Sequence, residues 1–187
     1  MSKILVDTID TRSGTSNITI GSSNASQITL KSGATLTNFP ANTPAFHATM
    51  SASQTLSNNT FTKLQVNTEI YDTDDCYDNS SNYRFTPTTA GKYLVYGCSQ
   101  TGGSNNVLQF SGTALYKNGS QQTEHFTDFR DTRGGSSNFT YTSIVMDMNG
   151  SSDYAELYGR MNVDSGNVNI QGGLNITYFG AYKIIGT

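Results

Sequence analysis

The sequence has few charged residues, few cysteines and no long apolar run. Only 13% of its 187 residues are charged, and no cluster of Lys and Arg exceeds two nearby residues. Nucleic-acid binding therefore lacks the basic surface that it needs. No apolar run is long enough to cross a bilayer. Two cysteines, Cys76 and Cys98, are too few for a disulfide framework.

The usual sequence signs of export and of catalysis are also missing. Residues 1–10 hold only a short apolar run after Lys3, so we expect synthesis in a cytosol without a cleaved signal peptide. His47 and His125 are the only histidines, and neither belongs to a catalytic-triad order, a zinc-binding pair or a nucleophile elbow. No pair of carboxylates stands out as a glycan-cleaving site. We therefore predict that the protein is not an enzyme.

Turn-forming and strand-forming residues dominate what is present. Gly, Ser, Thr and Asn take the place of charged and apolar residues, and they favour turns and strands over helices. Eleven Tyr and nine Phe argue against disorder, because disordered chains are poor in aromatic residues. Strand-like runs follow one another at short intervals from residue 45 onward. The sequence predicts an all-β antiparallel sandwich or jelly roll over residues 43–187.

The predicted strands are separated by turns rich in Gly, Pro and Asn-Gly. Asn118-Gly119 gives the strongest hairpin signal, since a type I′ turn needs positive φ at both central residues. We place the strands at residues 61–71, 83–85, 92–98, 107–117, 121–129, 139–148, 154–163, 168–170 and 174–185.

Alternation in the 154–163 strand separates two faces. Leu157 and Met161 fall on one face, and Tyr154 and Tyr158 fall on the other. Two tyrosines on the more polar face indicate a partly covered surface.

A separate N-terminal segment, residues 1–42, precedes the predicted sandwich. Its short pieces alternate apolar residues with Thr, and each is too short to bury a core of its own. Ordering each residue costs roughly 1–2 kcal/mol, so a folded segment needs a surface that covers its apolar side chains. The candidates for such a contact between chains are Ile18, Ile20, Ile28, Leu30 and Leu36. The alternative interpretation is a flexible leader.

An acidic cluster is the one candidate metal site. It consists of Asp72, Asp74, Asp75 and Asp78. Carboxylates at alternate positions can supply the oxygen ligands of Ca²⁺. The EF-hand pattern fails, because Cys76 replaces the third ligand and Tyr77 stands where Gly is needed. We therefore favour a solvated turn and predict no cofactor.

The most charged stretch, residues 124–133, interleaves aromatic and charged residues. Aromatic and Arg side chains favour interfaces, so this stretch is a candidate contact with a receptor or another subunit. The residues that define the candidate contact are Phe126, Phe129, Arg130 and Arg133. The sequence supports equally well a strand end that enters a mobile loop.

Several short motifs occur in a fixed order along residues 44–187. They are Pro44-Ala-Phe46, Tyr83-Arg-Phe85-Thr-Pro87, Ala90-Gly91-Lys92-Tyr93, Leu115-Tyr-Lys117-Asn118-Gly119 and Tyr178-Phe179-Gly180-Ala-Tyr182. This ordered set resembles the globular head of complement component one-q, a relative of the tumour-necrosis-factor jelly roll. The resemblance implies a jelly-roll head that forms a homotrimer. The collagen stalk of the animal proteins has no counterpart here, because no Gly-X-Y repeat is present.

The N-terminal segment carries a second resemblance. Ile4-Leu-Val-Asp-Thr-Ile9 and the Gly-punctuated pieces after it resemble N-terminal segments of structural proteins from marine bacteriophages. Together the two resemblances imply a virion protein made in the host cytoplasm. It would be a homotrimeric fibre or knob, anchored to other virion proteins by its N-terminus and contacting a glycan or receptor on the host surface. The alternatives are a trimeric capsid decoration protein and a lectin-like glycan-binding module.

Overall fold

The computed structural model of the chain describes Ser32 and residues 41–103, 107–130, 134–166, 168–173 and 176–185. Contacts divide the chain into two units, Met1–Phe39 and Pro40–Thr187, and the strands described below lie in the second. The contact predicted for Ile18, Ile20, Ile28, Leu30 and Leu36 lies outside the described residues.

The described residues form thirteen strands and no helix. The strands are β1 (Ala45–Thr49), β2 (Gln54–Thr55), β3 (Thr62–Lys63), β4 (Thr68–Asp72), β5 (Tyr77–Asp78), β6 (Arg84–Phe85), β7 (Gly91–Gly103), β8 (Leu108–Lys117), β9 (Ser120–Asp128), β10 (Ser137–Met148), β11 (Ala155–Val163), β12 (Val168–Ile170) and β13 (Tyr178–Lys183). A search of this part of the chain finds no helix with the length and apolarity to span a membrane.

The strands pair into two antiparallel sheets. The seven-stranded sheet has the order β2-β12-β7-β13-β1-β4, and β10 pairs along the other side of β7. The six-stranded sheet has the order β5-β6-β11-β8-β9, and β3 also pairs with β11. Buried side chains from both sheets form one hydrophobic cluster between them. The predicted all-β antiparallel sandwich is confirmed.

An aromatic cluster joins the two sheets at one end of the core. The Phe46 ring of β1 stacks on Tyr77 at 4.4 Å and on Phe85 at 4.7 Å, both from the six-stranded sheet. Phe179 of β13 meets the Phe46 ring edge-on at 5.0 Å. Such pairs add about 0.5–1.5 kcal/mol each beyond the burial of their area. The Tyr77 hydroxyl donates to the Val66 carbonyl at 2.7 Å, so its burial leaves no donor unsatisfied.

A layer of buried hydroxyl groups lies elsewhere in the core. Ser99 Oγ of β7 bonds Thr113 Oγ1 of β8 at 2.5 Å, and Thr101 Oγ1 bonds Ser111 Oγ at 2.9 Å. The Thr113 hydroxyl also lies 3.0 Å from the Thr140 carbonyl of β10. All five residues are fully buried. Because each hydroxyl has a partner, a chain with few apolar residues can still fill the space between its sheets.

Residues 61–71 do not form the single strand predicted for them. They form β3 and β4, which belong to different sheets. The Leu64 amide donates to the Leu157 carbonyl of β11, whereas Thr68 pairs with Thr49 of β1. The prediction is wrong because the chain crosses from one sheet to the other within this run. Leu64 and Val66 are both buried at the crossing. The apolar alternation therefore continues through it and resembles that of a single strand.

The predicted Asn118-Gly119 hairpin and the predicted faces of the 154–163 strand are confirmed. Asn118 and Gly119 have φ values of 51° and 76°, and they join the paired strands β8 and β9. In β11, Leu157 and Met161 are buried, while Tyr158 is half-buried.

Gly150 lies against the backbone of another turn, and it provides a test of the packing. A Cβ at Gly150 would lie 2.2 Å from the Ala90 amide nitrogen, whereas a Cβ at Gly166 would meet nothing within 4 Å. The two glycines have similar positive φ values, 72° and 75°. We expect Gly166→Ala to lower the free energy of unfolding by roughly 1–2 kcal/mol through backbone strain alone. Gly150→Ala should cost about 3 kcal/mol or more, because the Ala90 backbone must also move.

Urea unfolding of the two variants beside the wild type measures this difference. Equal losses in the two variants would contradict the close approach of the two turns.

Candidate functional site

The outer face of the seven-stranded sheet carries a group of aromatic side chains. The group contains Tyr71 of β4, His47 of β1, Tyr178 of β13, Tyr96 of β7 and Tyr141 of β10. We call these five side chains the tyrosine face. Strand pairing brings them together, because His47 is opposite Tyr71 on one side and Gly180 on the other, and Gly180 is opposite Tyr96. Tyr141 and Tyr178 are both opposite Cys98.

The imidazole of His47 lies among the rings of this face. Its centroid is 5.5 Å from that of Tyr178, 5.9 Å from Tyr96 and 6.3 Å from Tyr71. His47 Nδ1 lies 3.1 Å from the Tyr96 hydroxyl oxygen, within hydrogen-bond distance. Burial lowers the pKa of His47 below its usual 6.5. Burial, followed by the neighbouring Tyr71, raises the pKa of Tyr96 above the range of an exposed tyrosine. Both shifts favour uncharged rings.

Gly180 makes the contact between Tyr96 and His47 possible. It lies between them in strand β13, in register with both. A Cβ at Gly180 would lie 2.4 Å from the Cζ and hydroxyl oxygen of Tyr96. The Tyr96 ring therefore crosses over β13 through the space that a side chain would fill. In the sequence, Gly180 was visible only as part of the closing aromatic–glycine motif.

The tyrosine face leaves much apolar surface exposed. Tyr71 is 45% exposed and Tyr141 49%, and on β10 they are continued by Phe139 at 56% and Val145 at 49%. At the rim, Lys92 and Asp147 form an ion pair with 2.7 Å between nitrogen and oxygen. An uncharged centre with a charged rim is the composition of a protein interface. Exposed apolar patches of this kind mark interaction sites.

The outer side of the six-stranded sheet carries a second surface, built around Arg160. It consists of Phe61, Phe110, Tyr116, Phe126, Tyr158 and Arg160, and we call it the Arg160 strip. The guanidinium lies 4.8 Å from the Phe110 ring centroid and 5.2 Å from that of Phe61. Tyr116 stacks on Tyr158 at 4.0 Å, and Phe110 stacks on Phe126 at 5.1 Å.

Glu124 lies beside the Arg160 strip. Its Oε1 atom is 3.9 Å from Arg160 Nη1. That oxygen is buried and accepts no hydrogen bond from the described residues. Its contact with Arg160 is an ion pair longer than a hydrogen bond.

The four residues predicted as one surface contact fall in different environments. Phe126 is 53% exposed and belongs to the Arg160 strip. Phe129 is half-buried and packs against the core. Arg130 pairs with Asp128. Arg133 lies outside the described residues. Only Phe126 is thus placed on a larger aromatic surface.

Two carboxylates of the acidic cluster, those of Asp72 and Asp78, accept backbone hydrogen bonds. Asp78 accepts from the amides of Ser80 at 3.0 Å, Ser81 at 2.9 Å and Asn82 at 3.1 Å, and these bonds hold its pKa well below the usual range. Asp72 accepts from the Tyr77 amide at 2.7 Å. In the part of the chain that the structure describes, no three His, Cys, Asp or Glu side chains are placed to hold a metal ion. The absence of a cofactor stays a prediction.

The two thiols are both buried and unpaired. Cys76 lies just before β5, and Cys98 lies in β7 between Tyr141 and Tyr178. Burial raises the pKa of each thiol. A raised pKa favours the protonated thiol over the nucleophilic thiolate.

Comparison with known proteins identifies the fold. No protein-family model matches the chain, and no curated protein sequence matches it. Among solved structures, murine APRIL matches with a TM-score of 0.55 and 13% identity, over 75% of this chain and 98% of that one. Eiger TNF from S. frugiperda matches with a TM-score of 0.55 and 10% identity, over 76% of this chain and 93% of its own.

The globular domain of zebrafish complement 1qA also matches, with a TM-score of 0.54 and 12% identity, over 75% of this chain and 97% of that domain. Identities this low establish the fold and nothing further. The domain is a jelly roll of the TNF and complement one-q type, which confirms the fold implied by its ordered motifs.

The Gly180→Ala substitution tests the geometry of the tyrosine face. The added Cβ should displace the Tyr96 ring, break its bond to His47 and leave the imidazole more exposed to water. We expect the pKa of His47 to rise toward 6.5 and the free energy of unfolding to fall by about 1–3 kcal/mol. An NMR titration of the two histidines measures the first effect, and the signal of His125 on β9 is the internal reference. An unchanged His47 titration would mean that Tyr96 does not lie across Gly180.

Proposed function

We propose that the chain is a structural protein of a bacteriophage virion. In this proposal a homotrimer of jelly-roll heads forms a fibre or knob that is anchored by the N-terminal segment. The protein works by assembly and contact, without catalysis. The observation that carries the self-association is the tyrosine face, which leaves aromatic rings of a folded domain exposed to water.

Three features support a second and a third copy of the chain as the occupant of the tyrosine face. Its rings are uncharged, and the pKa shifts of His47 and Tyr96 favour their uncharged forms. The exposed residues of β10 extend the surface along a whole strand. The fold, finally, is one for which the motif resemblance implies a trimer. Stable protein associations typically bury about 800 Å² of accessible surface on each partner.

The virion role is supported by the resemblance of the N-terminal segment. Residues 4–9 and the Gly-punctuated pieces after them resemble the N-terminal segments of phage structural proteins. This segment would attach the head to other virion proteins. The alternative is a capsid decoration protein, in which the same trimer would bind the capsid shell.

A lectin-like role is the second candidate, and the Arg160 strip favours it. Tyr and Arg side chains are enriched at binding hot spots, and Phe is enriched at interfaces. The charges in and beside the strip are balanced, because Arg160 lies near Glu124 and Lys63 pairs with Glu156 at 2.5 Å. A neutral ligand with flat apolar faces, such as a host surface glycan, fits this composition.

The trimer is tested by changing one exposed ring on each side of the sandwich. We expect sedimentation equilibrium to give a mass of three chains for the wild type. Tyr141→Glu places a charge in the proposed interface and should weaken association by at least about 2 kcal/mol, or roughly thirtyfold. Phe126→Glu is the matched control, because Phe126 is similarly exposed but lies on the opposite sheet. A monomeric wild type, or equal losses in both variants, would overturn the proposed interface.

The predicted location of the protein on the virion can be tested with purified phage particles. Immunogold labelling should mark the virion, with tail labelling for a fibre or knob and shell labelling for a decoration protein. Unlabelled particles would contradict both virion roles.

The glycan role is tested by array binding of the isolated protein. We expect Tyr158→Ala, which removes a stacked ring of the Arg160 strip, to lose most of the binding, and Tyr141→Ala to keep it. Array binding that both variants retain would place the ligand elsewhere.

A further inference from the structure

His47 is the one histidine on the proposed subunit interface. The chain has only two histidines, and the other, His125, is exposed on β9 of the opposite sheet. Histidine is the side chain that ordinarily changes its charge between pH 5 and 8. Any change of the interface with pH in that range is therefore expected to come from His47 before any other side chain.

Among the described residues, the side chains that face His47 include no carboxylate. The titratable side chains that face it are Tyr71 from β4, Tyr96 from β7 and Tyr178 from β13. Burial raises the pKa of the Tyr96 and Tyr178 hydroxyls, so both stay protonated and neutral at physiological pH. The Tyr96 hydroxyl can donate to a neutral imidazole or accept from a charged one, so this bond alone does not select a charge state.

The nearest carboxylates and cations are directed elsewhere. On β4, Asp72 accepts from the Tyr77 amide, and Glu69 is in register with Ala48 and not with His47. On β13, Lys183 is in register with Tyr93, three residues beyond the partner of His47. On β7, Lys92 pairs with Asp147 of β10. An imidazolium at position 47 therefore has no acidic partner among the described residues that pack against it.

The aromatic rings offset only part of the hydration that burial removes from an imidazolium. A cation is attracted to the face of a ring within about 6 Å. Two of the three ring centroids, at 5.5 and 5.9 Å, lie just within that limit, and the third, at 6.3 Å, lies outside it. Burial is the dominant effect already in the single chain, since it lowers the pKa of His47. Covering the same ring with a second chain removes more water and acts in the same direction.

We infer that the assembly is pH-sensitive, and that protonation of His47 separates the subunits. This inference rests on the self-association proposed above. The sign follows from linkage, because the separated chains bind protons more readily than the trimer does. Association is therefore strongest above the pKa of His47 in the free chain and weakens as the pH falls below it. Because each trimer holds three copies of His47, a pKa lower by about one unit in the trimer weakens association by up to about a thousandfold.

The test is sedimentation equilibrium of the full chain at pH 7.5, 6.5 and 5.5. We expect trimers at pH 7.5 and a growing monomer fraction at pH 5.5. His47→Phe keeps an uncharged ring and should remain trimeric at all three pH values. His47→Asn keeps a polar atom near the position of Nδ1 and should behave in the same way. His125→Gln should follow the wild type, and it controls for histidine titration outside the interface.

The possible outcomes test the self-association and its pH sensitivity separately. A monomer at pH 7.5 would overturn the proposed self-association, and the inference with it. A trimer that is equally stable at pH 5.5, or a His47→Phe variant with the same pH dependence as the wild type, would overturn the inference alone. An NMR titration of His47 at high and low protein concentration adds a measurement that needs no variant. We expect the lower midpoint in the trimer, and an equal or higher midpoint there would also overturn the inference.

Discussion

Phe46 packs against aromatic rings from both sheets, and the position of this one side chain fixes what lies on either side of strand β1. Its ring stacks on Tyr77 and Phe85 and meets Phe179 edge-on. Because successive side chains of a strand point to opposite faces, burial of Phe46 turns His47 outward. Pairing with β4 and β13 then fixes the neighbours of His47. The surface chemistry of the domain thus follows from the packing of its core.

Strand β10 distributes its polar and aromatic side chains against the usual preference. The Thr140 hydroxyl of β10 is fully buried between the sheets, together with those of Ser99 and Thr113. Tyr141 and Phe139 of β10 lie on the outer face of the sheet. A satisfied hydrogen bond contributes about 1 kcal/mol, whereas an orphaned hydroxyl costs about 1–3 kcal/mol, so the buried layer is tolerated because it is paired. The exposed rings have no such compensation among the residues that the structure describes. This asymmetry is the physical reason to expect a partner on the tyrosine face.

The parts of the fold that depend on local rules could be predicted from the sequence, and the parts that depend on the second sheet could not. Asn118-Gly119 joins two paired strands, as its positive φ values require. Asn149 and Gly150 form the same dipeptide, yet they connect β10 in one sheet to β11 in the other. The Asn149 side chain accepts backbone amides within that turn, which no dipeptide rule reveals. The crossing within residues 61–71 was missed for the same reason.

The tyrosine face was also out of reach of pattern analysis. Strand β10 alternates Thr140 and Thr142 with Phe139 and Tyr141, and a simple polarity rule would bury the aromatic residues and expose the threonines. The structure has the opposite arrangement, and the buried Thr140 hydroxyl bonds those of Ser99 and Thr113. The need for glycine at position 180 is likewise evident only from the position of the Tyr96 ring, which occupies the space of a Cβ. Such information lies in pairs of residues that are far apart in sequence.

The two aromatic surfaces lie on opposite sheets, and this arrangement makes their proposed roles compatible. A partner chain on the seven-stranded sheet would cover Tyr141 and His47 but leave the six-stranded sheet open. The Arg160 strip would then remain exposed on each subunit of an assembly, and three copies of a weak site can bind a repeated ligand far more tightly than one. Association through one face therefore strengthens any ligand binding through the other. Acid conditions that protonate His47 would, by the same reasoning, reduce avidity without altering the Arg160 strip itself.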